Sequence, residues 1–115
     1  MENTEIQTFH IKPGIVLIKL PPKLLGGSVS TNFSDIIEQA KTSNLTHILL
    51  DLSNIEVINS LGLGMIVAGY TSLKKNNIAL SLLSPTEKVQ NLLKITHLDT
   101  IFKVYKSLDE FFATT

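Results

Sequence analysis

The stretch Ile58-Asn59-Ser60-Leu61-Gly62-Leu63-Gly64 is where residue types and spacing come closest to chemistry. It joins an apolar run to an amphipathic one, so it reads as a junction between a buried strand and a helix start. The first amides of a helix are unpaired donors, and its dipole favours negative charge. A phosphate or a partner's carboxylate can dock at such a place. Gly62 and Gly64 would let another backbone come close. The plainer reading is that Ser60 caps the helix and the glycines allow tight packing. Capping serines are common, and the local residues favour this plainer reading.

Other chemistries lack their parts. Gly62-Leu63-Gly64 has no Lys-Ser/Thr after it, as a phosphate-cradling loop would need, and too few glycines for a dinucleotide fingerprint. Asp51, Glu56 and Asp99 are scattered and form no acid/base pair. His10, His47 and His97 stand far apart without ligand spacing, and there is no cysteine, so no metal site is expected. A small hydrolase or transferase using Ser60 would need a histidine held beside it and a deep pocket. No Gly-x-Ser-x-Gly elbow suggests either.

Composition narrows the classes further. The 115 residues suit one domain spanning residues 1–115. With 43% hydrophobic and 17% charged residues, the chain can build a core. Its ten basic residues are all lysine and balance ten acids, which argues against a nucleic-acid partner. The uncharged run over residues 57–73 is shorter than the ~20 residues of a membrane span and contains polar residues, so no membrane insertion is expected. The first eleven residues have no basic run before an apolar core, which points to the cytoplasm.

The elements that must position the junction can be read in order. Alternation over residues 6–11, a Pro13-Gly14 turn and an apolar run over 15–20 predict an antiparallel hairpin. Pro21-Pro22 ends it, and residues 24–27 read as a loop. Ser28 or Ser30 is expected to cap a helix with Phe33, Ile36, Ile37 and Ala40 inward. Residues 46–52 read as a strand covered on both faces. After a loop over 53–59, Ser60 should cap a helix with Leu63, Ile66, Val67, Tyr70 and Leu73 on one stripe. Residues 78–83 predict a strand. Ser84-Pro85-Thr86-Glu87 predicts a capping box with proline at the first helical position, leading Val89, Leu92 and Leu93 inward. Residues 101–105 predict a strand, and Ser107-Leu108-Asp109-Glu110 a capping box for the last helix. The order β-β-α-β-α-β-α-β-α gives an α/β fold, a mixed and mostly parallel sheet that starts with an antiparallel hairpin.

From Ile48 through Leu50-Asp51-Leu52-Ser53 to Asn59-Ser60-Leu61-Gly62-Leu63-Gly64, the chain resembles the STAS domains, the bacterial anti-sigma factor antagonists. Their pattern is a strand ending Leu-Asp-Leu-Ser, a short loop, then Asp-Ser-Ser-Gly-Leu-Gly opening a helix. The spacing agrees without a gap. The likeness extends to the initial hairpin, to Lys41-Thr42-Ser43-Asn44, to Ser84-Pro85, and to Leu92–Leu98 before Ile101-Phe102.

The resemblance implies a non-catalytic interaction module without a cofactor. It would bind an anti-sigma factor of the serine-kinase type and regulate transcription by partner switching. The departures fall on the implied contact face. The serine or threonine that accepts phosphate in such antagonists is here Leu61. The serine before it is kept as Ser60, a substitute phosphorylation site whose hydroxyl capping would occupy. The family's acid is Asn59, and its Gly-Glu-Leu-Asp loop reads Pro22-Lys23-Leu24-Leu25 here. The expected partner-binding residues are Asn59, Ser60, Leu61, Gly62, Leu63 and Gly64, with Lys23, Leu24, Leu25 and Gly26 beside them. A less polar face also suits a subunit or scaffold of a lipid-transport or stress-signalling complex.

Overall fold

The apolar runs become strands in the computed structural model, which describes residues 5–114. The strands are β1 (Gln7–Lys12), β2 (Ile15–Lys19), β3 (Lys23–Leu24), β4 (His47–Asp51), β5 (Val57–Ile58), β6 (Ala79–Leu83) and β7 (Val104–Tyr105). The helices are α1 (Ser28–Ala40), α2 (Ser60–Lys74), α3 (Glu87–Ile95) and α4 (Leu108–Thr114), and a 3-10 turn spans Leu98–Thr100. The main sheet runs β1-β2-β4-β6-β7. Only β1 and β2 are antiparallel, as the Pro13-Gly14 turn requires.

Strand alternation sorts the core into two layers. Val16, Ile18, Ile48, Leu50, Leu80 and Leu82 join one cluster with Val29, Phe33 and Ile37 of α1, Leu63, Ile66 and Leu73 of α2, and Val89 and Leu93 of α3. The alternate residues Leu49 and Leu83 are buried outside that cluster, on the face where Phe111 of α4 lies. Phe111 meets His47, Tyr105 and Phe112 edge-on, with ring centroids 5.2–5.4 Å apart. The strand over 46–52 is thus covered on both faces, because Ile48, Leu49 and Leu50 are all fully buried.

Several details differ from expectation. Neither Ser28 nor Ser30 caps α1. The chain enters that helix through Gly27, whose φ of 69° lies in the left-handed region and which has no capping side chain. α3 starts at Glu87 rather than at Pro85. Thr86 is its cap and accepts from the Val89 amide at 3.3 Å, while Ser84 turns away with φ 51° and donates to the Lys106 carbonyl. β7 is cut to two residues, because the Ile101 and Phe102 amides both donate to the Leu98 carbonyl and prolong the turn that follows α3. β3 and β5, read as loop from the sequence, pair in parallel as a separate two-stranded sheet.

Candidate functional site

β4 delivers the chain to the junction. The Asp51 carboxylate accepts the Ser53 amide at 2.9 Å and braces the turn that leaves the strand. The Glu56 and Val57 amides both donate to the Pro22 carbonyl, at 2.7 and 3.1 Å. Pairing of Lys23 with Val57 and Leu24 with Ile58 then lays the 23–26 loop alongside the approach to α2. The two segments that the sequence suggested as neighbours are therefore in contact.

Asn59, not Ser60, is the cap of α2. Its extended backbone (φ −120°) lets Oδ1 accept the Gly62 amide at 2.9 Å. Ser60 is already the first helical residue, and its exposed hydroxyl takes no part in capping. The expectation that capping occupies that hydroxyl is therefore corrected. Asn59 prevails because its longer side chain serves two partners: Nδ2 also donates to the Leu25 carbonyl at 3.3 Å. With no acid in the first turn, the positive end of the α2 dipole is left uncompensated.

Gly62 fits under the loop because it has no side chain; a Cβ there would collide with the Leu24 carbonyl. Gly64 differs, since a Cβ at that position meets nothing within 4 Å. Leu24, Gly62 and Leu63 are buried and support the face from beneath. Lys23, Leu25, Asn59, Ser60, Leu61 and Gly64 are exposed, and Gly26 is half-buried. Leu61 projects outward as expected, with 65% of its surface exposed, and it also leans over Gly26. It also lines a groove of about 370 Å³ between α1 and α2, together with Phe33, Ile37, Met65, Ala68 and Gly69.

Two exposed apolar side chains near the junction were not singled out from the sequence. Val57 is 41% exposed on β5, and Ile95 is 76% exposed at the end of α3, sharing a shallow depression with Ile58 and Leu92. A signal existed for Ile95, which falls off the inward stripe of Val89, Leu92 and Leu93. The Lys88 ammonium fastens this edge of α3 by donating to the Glu56 carbonyl at 3.1 Å.

The titratable groups do not gather here. Among the described residues, no three His, Cys, Asp or Glu side chains stand close enough to hold a metal ion. His10 lies on edge strand β1, and His97 precedes the 3-10 turn. His47 packs against Phe111 on the α4 side of the sheet. Burial, and secondarily the Lys103 cation, hold its pKa below the ordinary value. No described helix is long and apolar enough to cross a membrane.

Known proteins share both the sequence and the fold. The STAS domain model matches residues 7–111. A protein of Thermotoga maritima assigned as an anti-sigma factor antagonist is 33% identical over 96 residues, covering 83% of this chain and 85% of that one. A crystal structure of a T. maritima protein assigned as an anti-sigma factor antagonist superposes with TM-score 0.78 and 30% identity, covering 95% of this chain and 92% of that one. The unphosphorylated form of SpoIIAA, at 17% identity and 89% coverage of each chain, shares the fold with TM-score 0.74. With these relatives, and with a strand–loop–helix junction in the family's spacing, the chain belongs to the STAS domain family.

Proposed function

We propose that this chain is an anti-sigma factor antagonist that works by binding, without catalysis. Its face is the start of α2 with the 23–26 loop, widened by Val57 and Ile95. The observation that carries the reading is the placement of exposed apolar side chains. Among the described residues, seven large apolar side chains are exposed, and four of them, Leu25, Val57, Leu61 and Ile95, lie on or beside this junction. α2 carries no charge from Ser60 to Leu73, so it brings no ionised side chain to the centre of the face. The partner is a cytoplasmic anti-sigma factor of the serine-kinase type, and its capture frees a sigma factor. The relatives' names support this role, and the apolar face supports binding.

Leu61 has no hydroxyl, so the family's phosphate switch is absent from its usual place. Ser60 is exposed and uncommitted, and is the adjacent hydroxyl that a kinase would meet. Incubation with a candidate anti-sigma kinase and ATP, followed by intact-mass measurement and site mapping, tests the switch. One phosphate on Ser60 means a switch displaced by one residue; none means constitutive binding. Binding itself is tested by titrating the same partner calorimetrically. Absence of any complex with the anti-sigma factors of its host would overturn the role. The stretch of α2 that is uncharged up to Leu73 also favours a second reading, a permanent subunit or scaffold of a lipid-transport or stress-signalling complex. Co-purification from the host separates the two.

A further inference from the structure

The carboxamide of Asn59 has one orientation that satisfies both neighbours. The Gly62 amide can only donate and the Leu25 carbonyl can only accept, so Oδ1 faces the first and Nδ2 the second. The backbone of Asn59 joins the same seam, its amide donating to the Leu24 carbonyl at 3.3 Å. On the far side of that seam the chain passes through Gly26 and Gly27, with φ of 97° and 69°. A Cβ on Gly26 would come within 3.2 Å of Leu61. The loop therefore rests on the α2 start through one side-chain hydrogen bond, one backbone hydrogen bond, the Leu24 carbonyl packed over Gly62, and Gly26 beneath Leu61.

We propose that Asn59 is the positioning residue of this face: its carboxamide clamps the 23–27 loop to the start of α2, and a carboxylate at position 59 keeps the cap but opens the clamp. The reason is the proton inventory. A carboxylate accepts from Gly62 as well as an amide does, or better, because the helix dipole favours its charge. It has no proton for the Leu25 carbonyl, and two oxygens with partial or full negative charge then face each other. Leu25 and Leu61, on opposite sides of the seam, keep their relative position only while it is closed. This consequence rests on the proposed binding face; the clamp itself does not.

Amide exchange followed by NMR on the isolated chain distinguishes clamp from cap. In Asn59→Asp, the backbone amide of residue 59 should exchange faster by about tenfold, the scale of one lost hydrogen bond. The Gly62 amide and the central amides of β4 should keep their protection. In Asn59→Ala, the residue 59 and Gly62 amides should both speed up. Asn59→Ser keeps a capping oxygen but is too short for Leu25; it should repeat the Asp pattern and covers the case in which the Asp variant fails to fold. Unchanged protection of the residue 59 amide in the Asp and Ser variants would reduce Asn59 to a cap. Equal loss at Gly62 in those variants would also overturn the division. Neither result depends on a partner, so failure here is separate from failure of the binding role.

Discussion

α2 and α4 both start beside a serine, and of these two only α4 uses it as a cap. At α4, Ser107 accepts the Glu110 amide at 3.1 Å, and Glu110 reaches back to the Lys106 amide at 2.9 Å. At α2, Asn59 takes the capping place and Ser60 moves into the helix. Counted from each cap, the second helical residue is Asp109 in α4 and Leu61 in α2, and the third is Glu110 against Gly62. α4 follows the ordinary rules of charge and capping at a helix start. α2 departs from them where the 23–26 loop crosses it. The difference teaches that a helix start closed by its own capping side chains follows its own sequence, while one that also holds a crossing loop is shaped by what lies across it.

The comparison can be broken most severely at the third position. Gly62→Ala should destabilise the chain by about 3 kcal/mol, because the added carbon meets backbone that cannot yield cheaply. Chemical denaturation would measure this, and a loss no larger than an exposed helix substitution would show that the loop does not press on α2.

The second position sharpens the contrast in binding rather than in stability. Leu61→Asp makes the start of α2 resemble that of α4. It should hold or raise the melting temperature by its favourable place on the dipole. It should also weaken partner binding by about 2 kcal/mol or more if Leu61 anchors the interface. Calorimetry with the anti-sigma partner reads the second effect and thermal melting the first; unchanged binding would retire the anchor.

The two serines should then separate cleanly. Ser107→Ala should cost about 1 kcal/mol, the usual loss of a cap. Ser60→Ala should stay within about 0.5 kcal/mol of the parent, as an exposed change without partners does. Parallel denaturation curves compare them, and equal costs would contradict the assignment of Asn59 as the cap.

The smallest effect concerns acidity. His47, which packs against Phe111 of α4, takes up a proton less readily in the fold than in the unfolded chain. Its contribution to stability is therefore complete above the ordinary value of 6.5 and declines as pH falls through it toward the lower folded value. His47→Phe should flatten that slope in melting temperatures taken across the range. An unchanged slope would place the pH dependence elsewhere.

Much of this was legible. Residues 46–52 and 78–83 are apolar runs of strand length with turn residues around them, and the alternating helices leave few topologies open. The likeness to the family located the junction correctly. The two-residue strands β3 and β5 were not legible, because two residues carry no period. The cap of α2 was misplaced for a related reason. Asn59 and Ser60 are both good capping residues, and the choice between them is made by the Leu25 carbonyl, 34 positions away in the chain. β7 was overestimated because the turn that ties the Ile101 and Phe102 amides to the Leu98 carbonyl leaves little trace in hydrophobic pattern. Burial divided the named site residues in a way that type alone does not reveal, with Leu24 and Leu63 beneath the face and Leu25 and Leu61 upon it.

That separation along the chain also bears on biosynthesis. The loop at 23–26 leaves the ribosome before β5 and α2, and β4 must take its place beside β2 to bring the halves together. A nascent or truncated chain ending at Asp51 has only one half of the seam. A short peptide copied from the junction has only the other. Contacts of this range carry the entropy cost of closing the loops between them. The composite surface thus exists only in a chain that holds both segments in place, and neither a chain ending at Asp51 nor a junction peptide carries it.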